Sequence, residues 1–450
     1  MIEGAEMTKL GMAALLLASS VAAIAHAAPA PKVTYIHAGA LLDRPGSAPR
    51  GASTIIVRDG KIAEVRDGFA APEKGAAVAD LKDRFVMPGL IDLHVHLWGI
   101  GGDPVQSRLT ALNRDDVDDM VIAEVNARKT LEAGFTTVRD LGGDARGMRA
   151  LREAVQRGDV AGPTIVNAGE GIAVSGGHGD GENGLAKDFA EAVHNHQYHI
   201  CDGPDDCRRA VRVQVARGAE VIKFKATGGV LSNVSGGLGR AMTPEEMRAI
   251  IETAHGLGRK TAAHSHAADG TKAALEAGVD SIEHGTFLDD EAIALFKANG
   301  AYLVPTVLAG VTSVAQARAG ALPVAVAPKA EAATGAAMES YRKALAAGVK
   351  FAFGTDTGVS KHGENAQEFA LLVKVGMTPA QALRTATIAA AEVLGREKEL
   401  GTIEPGKYAD IVAVAGSPLE DVTRMEHVDF VMRQGVIHKL RDRRQPFPPE

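Results

Sequence analysis

The sequence predicts an α/β fold, a (β/α)8 TIM barrel joined to a small β-sandwich built from both chain ends. Three observations predict it. Eight apolar, β-rich runs, at 90–94, 135–138, 164–166, 221–224, 261–264, 281–284, 302–304 and 350–353, alternate with amphipathic helical stretches. That alternation is the order of parallel βα units, and eight strands is the number that closes a barrel. Strand-like segments stand at both ends of the chain, and a length of 450 residues suits one embellished barrel. The expected division is a signal peptide over 1–27, a composite sandwich over 33–87 and 405–445, and a barrel over 88–404.

Taken in order, residues 10–25 are apolar and small, follow Lys9, and lead into Ala25-His26-Ala27, the form a signal peptidase accepts. The stretch falls short of the roughly 20 residues a spanning helix needs. Export is therefore expected, to the periplasm or outside the cell, with no membrane attachment after cleavage near Ala27; a membrane-anchored N-terminus is the alternative, and both Met1 and Met7 stand as starts, Met7 being the one that suits the signal. Residues 54–57 and 61–65 flank Arg58-Asp59-Gly60, whose Asp-Gly pair favours a tight hairpin. Residues 408–415 and 428–438 supply strands at the other end. Two helix starts are chemically explicit: Thr243-Pro244-Glu245-Glu246 and Thr378-Pro379-Ala380-Gln381 each offer a capping Thr, Pro at the first helical position, and Glu or Gln at the third.

Cys201 and Cys207 are the only cysteines, and Gly203 and Pro204 between them suit a small disulfide loop in an exported protein. Two free thiols on a surface loop are the alternative. A composition of 46% apolar and 23% charged residues with 51 glycines describes a soluble globular protein with many turns. The net charge of −7 argues against nucleic acid as a partner.

Strand one ends in Asp92-Leu93-His94-Val95-His96, and alternation puts His94 and His96 on one face. His264 ends strand five, His284 ends strand six, and Asp356 follows strand eight, all where barrel strands meet their loops and where barrel active sites sit. Imidazole and carboxylate at four strand ends suit Zn²⁺, Mn²⁺ or similar ions. Strand four carries Lys223 in an apolar setting, Val221-Ile222-Lys223-Phe224-Lys225. A buried ammonium beside metal cations is disfavoured by desolvation and by like charge. Loss of its proton and reaction with CO2 gives a carbamate whose two oxygens can bridge two metals; a salt bridge to a nearby carboxylate is the alternative.

These residues, with the flanking text GLIDLHVH, IKFKATGG, DSIEHG, FGTDTG and GKYADIVAV, resemble the amidohydrolase superfamily and its imidazolonepropionase-related branch of prolidase-like dipeptidases and carboxypeptidases. The resemblance runs over about 33–438, with its motifs in family order. It implies two divalent metal ions, Zn²⁺ by expectation: His94, His96 and Asp356 hold the more buried one, His264 and His284 the more exposed one, and N6-carboxylysine at Lys223 bridges both. Lys225 shares the face of Lys223, and Lys223 is the expected bridge because it directly follows Val221-Ile222 as in the family pattern. Asp92 is expected to orient an imidazole rather than to ligate. Asp356 is the expected proton carrier between attacking water and departing amine.

The stretch Val174-Ser175-Gly176-Gly177-His178-Gly179-Asp180 resembles the dipeptidase branch, in which this histidine helps bind the free carboxylate of the substrate. His266 occupies a place where some relatives use tyrosine for that task, and Arg139 at the end of strand two is a further candidate cation, with a structural ion pair in the neighbourhood of Asp140 as the alternative. The implied activity is cleavage of the amide bond to a C-terminal amino acid, in dipeptides, N-acyl amino acids or amide-linked toxins of ochratoxin type. The substrate is thus a small molecule or peptide with a free carboxylate, and the resemblance also implies a homo-oligomer. A cyclic-amide hydrolase or mononuclear deaminase on the same barrel is the rival enzyme class, which Lys223 argues against. A non-catalytic structural paralogue is the rival outside enzymes, argued against by the filled ligand positions.

Overall fold

A computed structural model describes residues 33–101, 113–183, 188, 190–191, 197–232, 237–323 and 326–447; the expected signal peptide lies outside them. Val33–Leu41 (β1), Ser53–Arg58 (β2) and Lys61–Asp67 (β3) form an antiparallel meander. The β2–β3 turn is the expected hairpin: Asp59 and Gly60 take φ of 48° and 79°, the pair of positive values such a two-residue turn needs.

Ala77–Pro88 (β4) pairs in parallel with β1 along one edge and antiparallel with Ile411–Val414 (β13) along the other. With Phe430–Arg433 (β14), Val436–Leu440 (β15) and Arg443–Arg444 (β16), the two chain ends make one eight-stranded sheet, ordered β16-β15-β14-β13-β4-β1-β2-β3. Its β3 edge curls back, Ile62 N donating to Lys407 O at 2.9 Å and Gly406 N to Ile62 O at 2.8 Å. Both chain ends thus contribute strands to one sheet folded around its own core of Ile36, Leu41, Ile55, Leu81, Ile411 and Phe430. The reason is β4, which is long enough to hydrogen-bond both halves.

Every predicted barrel run is a strand. Leu90–Val95 (β5), Phe135–Asp140 (β6) and Thr164–Asn167 (β7) form a parallel three-stranded sheet. Val221–Lys225 (β8), Lys260–Ser265 (β9), Ser281–His284 (β10), Tyr302–Val304 (β11) and Lys350–Phe351 (β12) form a parallel five-stranded one. Backbone bonds also link β8 to the segment that follows β7, and β5 to the segment that follows β12. Ile172 N donates to Lys223 O (2.8 Å) and Lys225 N to Ile172 O (2.9 Å) on one side; Leu93 N donates to Phe353 O (3.0 Å) and Asp356 N to His94 O (2.7 Å) on the other. β12 is shorter than the predicted 350–353 because Phe353 N turns away to Thr385 O, at 3.1 Å. Gly89 links β4 to β5 at a close approach: a Cβ there would lie 2.2 Å from Thr136 Oγ1.

Both predicted helix starts carry reciprocal capping. Glu246 N donates to Thr243 Oγ1 (3.2 Å) while Thr243 N donates to Glu246 Oε2 (2.8 Å), opening the helix Pro244–Gly256, and Thr378 with Gln381 repeats the arrangement at Pro379–Arg384. Cys201 and Cys207 form a disulfide. Both are buried, and Cys207 lies in the first turn of the helix Pro204–Arg217, so the bond ties the preceding loop to that helix. Among the described residues no helix is long and apolar enough to cross a membrane.

Candidate active site

The C-terminal ends of the parallel strands open on a cavity of about 1100 Å³, lined by His94, His96, His178, Lys223, Lys225, His264, His266, His284 and Asp356 among others. Two three-residue groups each bring one ligand atom per residue within 4.8 Å of the others: His94, His96 and Asp356, and His264, His266 and His284. His266 thus joins the second group beside the two histidines expected there.

Hydrogen bonds fix which ring nitrogen of several imidazoles faces the cavity. His94 Nδ1 lies 2.9 Å from Glu283 Oε2, and a carboxylate only accepts, so Nδ1 carries the proton and Nε2 keeps its lone pair. Thr306 Oγ1 donates to Pro305 O (2.7 Å), so it accepts from His284 Nδ1 (2.7 Å) and leaves Nε2 of that ring free. His266 Nδ1 is likewise engaged, with Thr286 Oγ1 at 2.6 Å. His264 Nε2 faces the Gly228 carbonyl at 3.4 Å, leaving its Nδ1. Burial holds His94, His264 and His284 well below the ordinary histidine range and pushes His266 down to about 4, so all four are neutral and able to donate lone pairs. Burial alone would raise the Asp356 carboxyl, but His94, His96 and Lys223 outweigh it and hold Asp356 ionised; its Oδ1 stands 3.4 Å from His94 Nε2 and 3.1 Å from His96 Nε2. Neutral imidazoles with fixed tautomers around a carboxylate are a donor set that fits divalent metal ions.

Lys223 is buried, and burial, then Lys225, push its ammonium far below the ordinary lysine range against the pull of Glu283 and Asp356. Glu283 and Asp356 attract it, but it forms no hydrogen bond or ion pair with a described residue. Burial also pushes Lys225 down to about 8.

Three site residues sit under backbone strain. His284 at the end of β10, Thr306 just past β11 and Asp356 in the loop after β12 take φ of 71°, 51° and 56°, each costing about 1–3 kcal/mol. The Tyr341 hydroxyl, 2.7 Å from His284 O and 2.9 Å from Pro305 O, braces two of these turns.

His178 packs against His264 in a tilted arrangement with ring centroids 4.3 Å apart, and its buried Nδ1 has no partner among the described residues. Gly229 permits that position, since a Cβ there would lie 2.6 Å from the same nitrogen. Arg139, in contrast, is fully buried and does not line the cavity. Its guanidinium donates to Leu93 O (2.6 Å), Ser281 Oγ (3.0 Å) and Glu283 Oε1 (2.7 Å), which corrects its expected contact with substrate. Asp92 hydrogen-bonds to no imidazole among the described residues. It accepts from His94 N, Thr355 Oγ1 and Asn365 Nδ2 (3.0, 2.7 and 2.9 Å), anchoring the turn that carries Asp356. The orienting carboxylate is Glu283. Its signal in the sequence is the polar pair Ser281 and Glu283 at alternate positions of a strand buried along its whole length.

Residues 85–438 match the amidohydrolase family. The chain is 32% identical over 405 residues to the ochratoxinase of Aspergillus niger, covering 87% of this chain and 83% of that one. Among solved structures it resembles a Xaa-Pro dipeptidase with bound methionine (TM-score 0.85, 38% identity, 91% of this chain and 100% of the other). It also resembles a prolidase complexed with N-methylphosphonate-L-proline (TM-score 0.82, 28% identity, 92% and 100%). Together with the histidine and carboxylate cluster at the strand ends, these likenesses define an enzyme that hydrolyses amide bonds. The chain belongs to the amidohydrolase family, in its prolidase-like branch.

Proposed function

We propose that this enzyme is a binuclear metal-dependent amidohydrolase that cleaves the amide bond to a C-terminal amino acid. The observation that carries it is the convergence of two three-residue donor groups and an unpaired, buried Lys223 on one cavity. His94, His96 and Asp356 would hold one divalent ion, His264 and His284 the other, with carboxylated Lys223 between them and Zn²⁺ as the ion. Bound divalent metals supply Lewis acidity that ionises water near neutral pH and polarises a carbonyl. The chain does the rest. Asp356, ionised and beside both imidazoles of its group, takes the proton released from water and delivers it to the leaving amine. Glu283, Thr306 and Thr286 hold His94, His284 and His266 in the orientation that aims a lone pair inward. His178 and His266 face the substrate. The relatives named as ochratoxinase, dipeptidase and prolidase support dipeptides, N-acyl amino acids and ochratoxin-type amides as the substrate class.

The same reading includes a closed (β/α)8 ring, supported by the backbone bonds from β8 to the segment after β7 and from β5 to the segment after β12, and an exported, homo-oligomeric enzyme. The test is hydrolysis of a panel of dipeptides and N-acyl amino acids read by mass spectrometry, with metal analysis of the same preparation. Two metal equivalents per chain with release of the C-terminal residue are expected. A single equivalent, or turnover confined to cyclic amides, overturns the reading.

A further inference from the structure

We propose that Lys225 is the cation that recognises the free carboxylate of the substrate, an inference that rests on the reading of the enzyme as releasing a C-terminal amino acid. Lys225 lies two residues after Lys223 on β8, and alternation sends both side chains to the inner face, where both line the cavity. Two glycines make room for it. A Cβ at Gly171 would lie 2.9 Å from Lys225 Cε and 3.2 Å from Lys223 Cγ, and one at Gly179 would lie 3.4 Å from Lys225 Cε. Gly179 directly follows His178, so the slot that holds the lysine stem is built partly from the loop that carries His178.

The charges around it explain why the ammonium has no protein partner. Asp356 attracts Lys225 electrostatically without forming an ion pair with it, its Oδ1 standing against His94 Nε2 and His96 Nε2, and Glu170 is held by Arg217 at 3.6 Å and by Gln214 at 3.3 Å. Glu283 is bound by Arg139, and Asp180 accepts from Gly176 N and Glu182 N in its own loop. Of the other cations at the cavity wall, Arg114 and Arg217 are paired, with Asp119 at 2.9 Å and with Glu170, and Arg146 is exposed to solvent, unlike Lys225. Lys225 forms no ion pair with any described residue and stays partly open to the cavity. A cation withdrawn from bulk water and left without a counter-ion is costly, and an anionic ligand that completes the pair turns that cost into binding. His178 lines the same cavity. A substrate carboxylate entering there meets Lys225.

The experiment compares N-acetyl-phenylalanine with its C-terminal amide in the metal-loaded wild type, Lys225→Met and Lys225→Arg, with metal content measured for each. Wild type is expected to prefer the acid. In Lys225→Met that preference shrinks roughly 10- to 100-fold, mainly through KM, as the loss of one charge-assisted contact implies, with metal content unchanged. Lys225→Arg restores part of it. A preference that survives in Lys225→Met overturns the assignment while leaving the hydrolase reading intact. Loss of metal in Lys225→Met also overturns it, since the lysine would then serve the ligand set. A wild type that treats acid and amide alike removes the C-terminal specificity itself.

Discussion

Glu283 Oε2 lies 2.9 Å from His94 Nδ1 while its other oxygen lies 2.7 Å from Arg139 Nη2, so one buried carboxylate couples a candidate metal ligand to a buried guanidinium. Replacing it by Gln leaves Arg139 charged in the interior without its counter-ion. Glu283→Gln is expected to lower stability by about 3–5 kcal/mol in urea denaturation. It should also weaken metal binding by roughly 10- to 100-fold. Adding Arg139→Met should recover part of the stability but not the metal affinity. An unchanged denaturation midpoint in the single variant would contradict the coupling.

For Lys223 the expected outcome is chemical rather than structural. Lys223→Ala should abolish turnover and lower metal content, and short carboxylates such as acetate or propionate should rescue part of the activity by standing in for the carbamate. Lys225→Ala should leave metal content intact. Full metal loading without Lys223, or equal metal loss at both positions, would mean that the bridging role is misplaced.

Asp356 adopts the left-handed region at φ 56°, which Asn tolerates about as well, so Asp356→Asn keeps the turn while removing the basic oxygen. Turnover should fall by about 10²- to 10⁴-fold, the usual range for a general acid-base group. Metal content is measured on the same sample. Near-normal turnover with full metal would remove the proton-carrier role.

Away from the cavity, Asp280 predicts an acid-side loss of stability. Burial pushes its carboxyl up, but Lys260 (2.7 Å), His255 (2.8 Å) and Thr261 N (2.8 Å) outweigh that and hold it below the ordinary aspartate range. A carboxyl depressed in the folded state stabilises above its unfolded value of about 4, and that contribution disappears as pH falls through the folded value. Asp280→Asn should therefore melt below wild type at pH 7, with the gap closing as the pH drops below about 4. A gap that is constant with pH would show that the charge is not the source.

How much of this was legible beforehand follows from how far apart the interacting groups stand in the chain. The sequence determined what adjacent residues determine: the Asp59-Gly60 hairpin, the Thr243–Glu246 and Thr378–Gln381 caps, the eight strands, and the placing of His94, His96, Lys223, His264, His284 and Asp356 around one cavity. Strand periodicity fixes the face a side chain takes, and the strand end fixes its height. Neither names the partner across the sheet. Only the tertiary structure decided that His94 is oriented by Glu283, 189 residues away, and not by Asp92 two residues away, or that Arg139 turns under the site toward Glu283 instead of into the cavity. It also decided the left-handed backbone at His284, Thr306 and Asp356, and the capping of Val307 N and Leu308 N by Glu368 at 3.0 and 2.6 Å. These features depend on which strands and helices lie side by side, and the strain is sustained by packing from distant segments such as Tyr341. Local sequence carries the pattern of each element, while the pairing of buried charges is settled only when the elements close on one another and exclude water.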